Sequence, residues 1–171
     1  MLIFSTSCES SQSDLAVEFE FRLLNLQGEE SLMFNQGENF VFSFLIINRT
    51  KETILFHSLN WEDFFKVERL NGQEESQNVE IGKPYETMFC TFQSGHIIQA
   101  SDTLKLEIPW SPSNWEPGAP YYTTIFCGVI ENSPLPSGPY RTKFNTGFVF
   151  SFNEVEYKLP ERKFGIEFNI L

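Results

Sequence analysis

The stretch FVFSFLIIN, Phe40 to Asn48, decides how this chain is read. Phe40, Phe42, Phe44 and Ile46 recur at every second position, the period at which a strand returns its side chains to one face. Val41, Leu45 and Ile47 make the opposite face apolar as well. A strand that is apolar on both sides belongs inside a sheet, between a core and something that covers it, and not at an edge.

The flanking segments supply its partners. Leu15, Val17, Phe19, Phe21 and Leu23 alternate with Ala16, Glu18, Glu20 and Arg22, which predicts a strand with one buried and one wet face. Leu104, Leu106, Ile108 and Trp110 alternate in the same way with Thr103, Lys105 and Glu107. The short polar run Asn48-Arg49-Thr50-Lys51 predicts a hairpin from the central strand into a strand over Thr53 to Ser58. Trp61 to Leu70 has helix-forming composition but leaves through Asn71-Gly72, a hairpin turn signal, and reads as a strand. Asn78 to Thr91, interrupted by Gly82 and Pro84, reads as irregular. Four short strands follow toward the C-terminus, over Tyr140 to Phe144, Phe148 to Phe152, Val155 to Leu159 and Phe164 to Ile170. In the last of them Phe164, Ile166, Phe168 and Ile170 face one way. About eight to ten short strands without helical periodicity predict an all-β antiparallel sandwich over residues 15 to 171, behind a polar tether over residues 1 to 14.

Composition bounds the function. Of the 171 residues 41% are apolar and 19 are phenylalanine, enough for one core. The net charge of −11 opposes binding to a phosphate backbone, which requires a basic footprint. Only three aspartates, Asp14, Asp63 and Asp102, are present, too few for an Asp-rich calcium loop, and no metal or cofactor is expected. His57 and His96 are the only histidines and neither lies in a nucleophile or zinc motif, so the chain is not expected to be an enzyme. No apolar run reaches the length of a transmembrane helix.

Three cysteines remain to be placed. Met1 to Cys8, MLIFSTSC, followed by the polar stretch Glu9 to Asp14, is similar to the end of a bacterial lipoprotein signal, in which the cysteine thiol is acylated. Lipidation of Cys8 would put the protein on the cell envelope; an unmodified N-terminus would leave it in the cytoplasm. Cys90 and Cys127 lie in the apolar runs MFCTF and TIFCGV, where a buried free thiol and a disulfide between them are both open.

Several of these features come together in one family. An apolar strand ends in Asn48-Arg49-Thr50; Phe56 and Ser58 precede Trp61 and Asp63-Phe64-Phe65-Lys66-Val67; then come Gly72, a strand ending in Trp110, and Leu135-Pro136-Ser137-Gly138-Pro139-Tyr140. In order and spacing this resembles the BsuPI-type intracellular proteinase inhibitors, bacterial immunoglobulin-like domains, over residues 35 to 145. The resemblance implies an immunoglobulin-like sandwich and a proteinase as the first candidate partner. Tyr140 has a physical role in such a fold, bonding its hydroxyl back to nearby backbone at a corner between sheets.

The segment between Trp110 and Leu135 is longer than in that family, and it holds the densest exposed-type aromatic cluster. Ser111 to Pro120, SPSNWEPGAP, can sustain neither helix nor central strand, so Trp110, Trp115, Tyr121 and Tyr122 are the candidate binding residues on a projecting loop. The same rings could instead fold back over the sandwich edge. The expected function is a monomeric protein-interaction module, with a carbohydrate-binding module using Trp115, Tyr121 and Tyr122, or a structural envelope protein, as the alternatives.

Overall fold

The computed structural model describes residues 17–57, 64–72, 74–88, 95–111 and 126–171. Over these the chain is an all-β sandwich, antiparallel except for the parallel pairing of Met33–Phe34 with the C-terminal strand, and it has one single-turn 3-10 helix, Glu75–Gln77. The central strand is as the sequence predicts. β3 (Val41–Asn48) lies between β1 (Val17–Leu24) and β9 (Thr103–Pro109), antiparallel to both. On its inner face Phe42, Phe44 and Ile46 are fully buried. On its outer face the same-face register neighbours are Glu18, Glu20 and Arg22 on β1 and Lys105 and Glu107 on β9. Stems of such long charged side chains can cover apolar neighbours while their heads stay wet.

Facing this three-stranded sheet is a larger one in the order β2 (Met33–Phe34), β12 (Val155–Ile170), β11 (Gly138–Phe152), β4 (Ile54–Phe56), β8 (His96–Ile98). β5 (Val67–Arg69) joins it by pairing with β11, and β6 (Val79–Gly82) pairs with β5. A third, two-stranded sheet pairs β7 (Tyr85–Met88) with β10 (Phe126–Val129). Between the two main sheets the phenylalanines interlock. Phe44 stacks on Phe148 at 6.1 Å and meets Phe164 edge-on at 5.1 Å, and Phe19 lies 4.0 Å from Phe148. Such pairs contribute about 0.5–1.5 kcal/mol each beyond the area they bury.

Four expectations are corrected. The two pairs of short C-terminal strands are two long ones, β11 and β12, joined by a tight turn in which Asn153 and Glu154 both have positive φ. The apparent breaks at Gly147 and Pro160 are one β-bulge: Thr146 pairs Arg162 and Phe148 pairs Leu159, so Pro160 and Glu161 together face Gly147. A bulge tolerates a proline that a regular central strand would not. Second, β3 and β4 do not form a hairpin, because the chain crosses between sheets after Asn48. The fully buried Asn48 amide holds that crossing, donating to the carbonyls of Glu52, Ile98 and Gln99 while its oxygen accepts from Thr50 N–H and Oγ1.

Third, among the described residues of the Trp61 to Leu70 segment, 64–70, the strand covers only Val67–Arg69. Phe64 and Phe65 are both buried, which a regular strand forbids since it sends consecutive residues to opposite faces. A left-handed Phe65 (φ 60°) turns both rings into the core, Phe64 4.3 Å from Phe144 and Phe65 4.9 Å from Phe42. Fourth, the region expected to be irregular, Asn78 to Thr91, contains β6 and β7.

The immunoglobulin-like corner is present. The Tyr140 hydroxyl donates to the Pro136 carbonyl four residues upstream at 2.8 Å, and the ring is fully buried against Phe168.

Candidate functional site

The two strand ends that carry the aromatic, proline-rich segment are fixed to one end of the sandwich. β9 ends with Pro109 opposite Val41, and the next residue, Trp110, donates its backbone N–H to Phe40 O at 2.9 Å. Asn39 then takes the place of a strand: its side-chain amide donates to Ser111 O, and its oxygen accepts Ser111 N–H at 3.0 Å. This extends the β3–β9 ladder by one rung made from a side chain.

The returning end is tied to the same place. β10 leads into Ile130, whose N–H bonds Pro84 O at 2.9 Å. Asn132 Nδ2 donates both to Trp110 O at 3.0 Å and to Lys83 O at 3.2 Å, clamping departure and return together. Trp110 completes the base. Its ring lies parallel to Phe40 at 6.2 Å and its Nε1–H donates to Ser133 O at 3.0 Å.

Trp110 is therefore not on a contact surface: it is 2% exposed and belongs to the core. The sequence pattern places it one residue beyond a strand, where loop and core look alike. Trp115, Tyr121 and Tyr122 lie outside the described residues, as do Cys8 and Cys90. Cys127 is in β10, with its backbone opposite Thr87. The anchoring asparagines Asn39 and Asn132 carry no local signal in the sequence, since the Asn39–Ser111 bonds span 72 residues.

The stems of the loop and the N-terminal entry lie at opposite ends of the molecule. Val17 pairs with Asn48 at one end of β3, and Pro109 pairs with Val41 at the other. At the rise of an antiparallel strand, eight residues separate the two ends by about 25 Å.

Two polar clusters lie on the outer face of the larger sheet. His57 Nε2 lies 2.6 Å from Ser151 Oγ, a pair that no motif in the sequence signals. Activating a serine also requires a group that orients the imidazole and donors for an oxyanion. Among the described residues no carboxylate bonds the His57 ring, and the pair ties the end of β4 to β11. Further along β11, Arg141 donates to Glu68 at 3.0 Å and Glu75 at 2.8 Å, and Lys143 to Glu75 at 2.6 Å. The bond to Glu68 holds Arg141 above its ordinary pKa, and the Lys143 bond lowers that of Glu75. Each charge is stabilised, the opposite of a tuned acid and base. Among the described residues no group of three His, Cys, Asp or Glu side chains could hold a metal ion.

No family model matches the chain, and neither does any curated protein. Among solved structures it is similar to a β-glucosidase from Listeria innocua crystallised with gluconolactone, at 12% identity and a TM-score of 0.31. That match covers 91% of this chain but only 17% of the other. At such similarity it carries no argument about activity.

Proposed function

We propose that the protein is a non-enzymatic interaction module of the bacterial cell envelope, tethered through Cys8 and presenting the segment after Ser111 to a protein partner, with a proteinase as the first candidate. The observation that carries this reading is the placement of the loop base. Both stems are clamped by Asn39, Asn132 and Trp110 at the end of the sandwich away from Val17, where the tether enters. A tethered domain built this way holds its far end toward whatever approaches. Fixed stems also lower the entropy lost when a loop binds, so the tryptophan and tyrosines between them have a pre-organised platform.

The test is photo-crosslinking in envelope preparations. A photoreactive residue at position 115 is expected to capture a discrete partner, and one at position 51, near the tether end, is not. Capture from position 51 alone would place the contact surface at the wrong end.

A further inference from the structure

Net charge is unevenly divided along this chain. Of its 12 basic residues five, Arg141, Lys143, Lys158, Arg162 and Lys163, lie in the β11–β12 hairpin, which carries only four acidic ones. The hairpin is thus close to neutral within a strongly acidic protein. Its second strand is also a sheet edge. β12 pairs with β11 along its length, but on the other side, among the described strands, it pairs only with β2, at Asn169 and Ile170. From Val155 to Lys163 no described strand pairs with that edge, and every residue except Tyr157 and Leu159 is exposed. Exposed edges of this kind template pairing with another chain unless sequence forbids it.

The sequence along the edge fits one partner in particular. We propose that β12 pairs antiparallel with β12 of a second copy of this chain, about a two-fold axis between Leu159 and Pro160. In that register Glu156 faces Lys163 of the second copy, Lys158 faces Glu161, and Tyr157 faces Arg162. Symmetry repeats each charged pair, giving four opposite-charge pairs across the seam, while the Arg162 guanidinium lies over the Phe19 ring of its own chain at 5.2 Å. The faces agree as well as the signs. Before the bulge Glu156 and Lys158 share the outer face with Ser151 and Val149; after it Lys163 shares that face with Asn145, and Glu161 sits opposite Gly147. Tyr157 and Arg162 are on the inner face, opposite Phe150 and Thr146. The bulge restores a match that unbroken alternation would destroy.

Neighbouring registers fail. Moving the axis by one residue in either direction keeps the faces matched but places Glu156 opposite Glu161, or Lys158 opposite Lys163. Like charges directly opposite destabilise a strand pair. Pro160 and the bulge also serve to discourage indiscriminate edge pairing, but Pro160 removes only one donor per chain, at the centre of the seam. The short edge from Glu156 to Lys163 makes a small interface, so the dimer is weak, in the range of transient contacts. The two-fold sends the two loop ends, and with them the two Val17 ends, in opposite directions, so the dimer and the one-sided presentation proposed for a tethered copy are alternative arrangements of the same chain.

Sedimentation equilibrium of the full chain across about 10 to 500 μM tests the pairing, repeated at low and high salt because exposed charge pairs are screened. The parent is expected to dimerise reversibly, more weakly at high salt. K158E and E161K are each expected to weaken the dimer by about tenfold or more, since each turns two attractions into repulsions. The double variant K158E/E161K exchanges the signs and is expected to restore it. All four chains should give the same circular dichroism spectrum, because both side chains are exposed. A parent that stays monomeric throughout, single variants that dimerise as well as the parent, or a double variant that does not recover would each overturn the proposal.

Discussion

Trp110 shows how one side chain can link a core to a loop. Its ring closes the inner face beside Phe40, its backbone N–H continues the β3–β9 ladder, and its Nε1–H and carbonyl reach the returning segment at Ser133 and Asn132. Truncation to alanine should therefore cost about 3–5 kcal/mol in urea denaturation, as for a buried aromatic, and also free the loop stems. A loss below about 1 kcal/mol would show that the ring is not packed as described. The sequence gives the residue type but not this placement, because a tryptophan ending an alternating run looks the same whether it caps the core or opens a loop. The same limit hides Phe65, whose burial beside Phe64 depends on a left-handed backbone that no pattern of polarity announces.

At the scale of elements, strands with one burial period are legible and strands at the margins are not. β1 and β9 alternate in sequence because each turns one face to the core, and β3 is legible as a run apolar on both faces and buried almost throughout. β6 escapes notice since Val79, Glu80 and Ile81 are all exposed, leaving no contrast between faces. β11 and β12 read as four strands because a bulge uses the residues, glycine and proline, that otherwise mark turns. β8 carries a titratable group into a partly buried position: desolvation holds His96 below its ordinary value of 6.5, beside the Phe56 ring. The unfolded chain then takes up the proton more readily than the folded one. The stability contributed by the neutral ring is full above pH 6.5 and is lost as the pH falls through that value toward the depressed folded one. H96Q should accordingly lose less stability between pH 7.5 and 5 than the parent when urea midpoints are compared. Parallel pH profiles would contradict this.

The whole molecule is a sandwich with different ends. One end holds Val17 and closes around the Asn48 hub; the other clamps both stems of the aromatic segment. The fold class follows from the alternating strands, and the loop's position in the chain follows from its prolines. What cannot be read from sequence is which end the loop occupies, since that is set by sheet register and by side-chain bonds between residues far apart. We propose that Trp115, between those clamped stems, contacts a partner and does not pack on the sandwich. Comparing Trp115→Ala with the parent in two readouts, the urea midpoint and recovery of the crosslinked partner from envelope extract, separates the two roles. A Trp115 that contacts a partner gives an unchanged midpoint, within about 0.5 kcal/mol as for a surface substitution, and binding weakened by roughly 2 kcal/mol or more. A variant destabilised by about 3–5 kcal/mol, or a stable one that recovers the partner as well as the parent does, would contradict it.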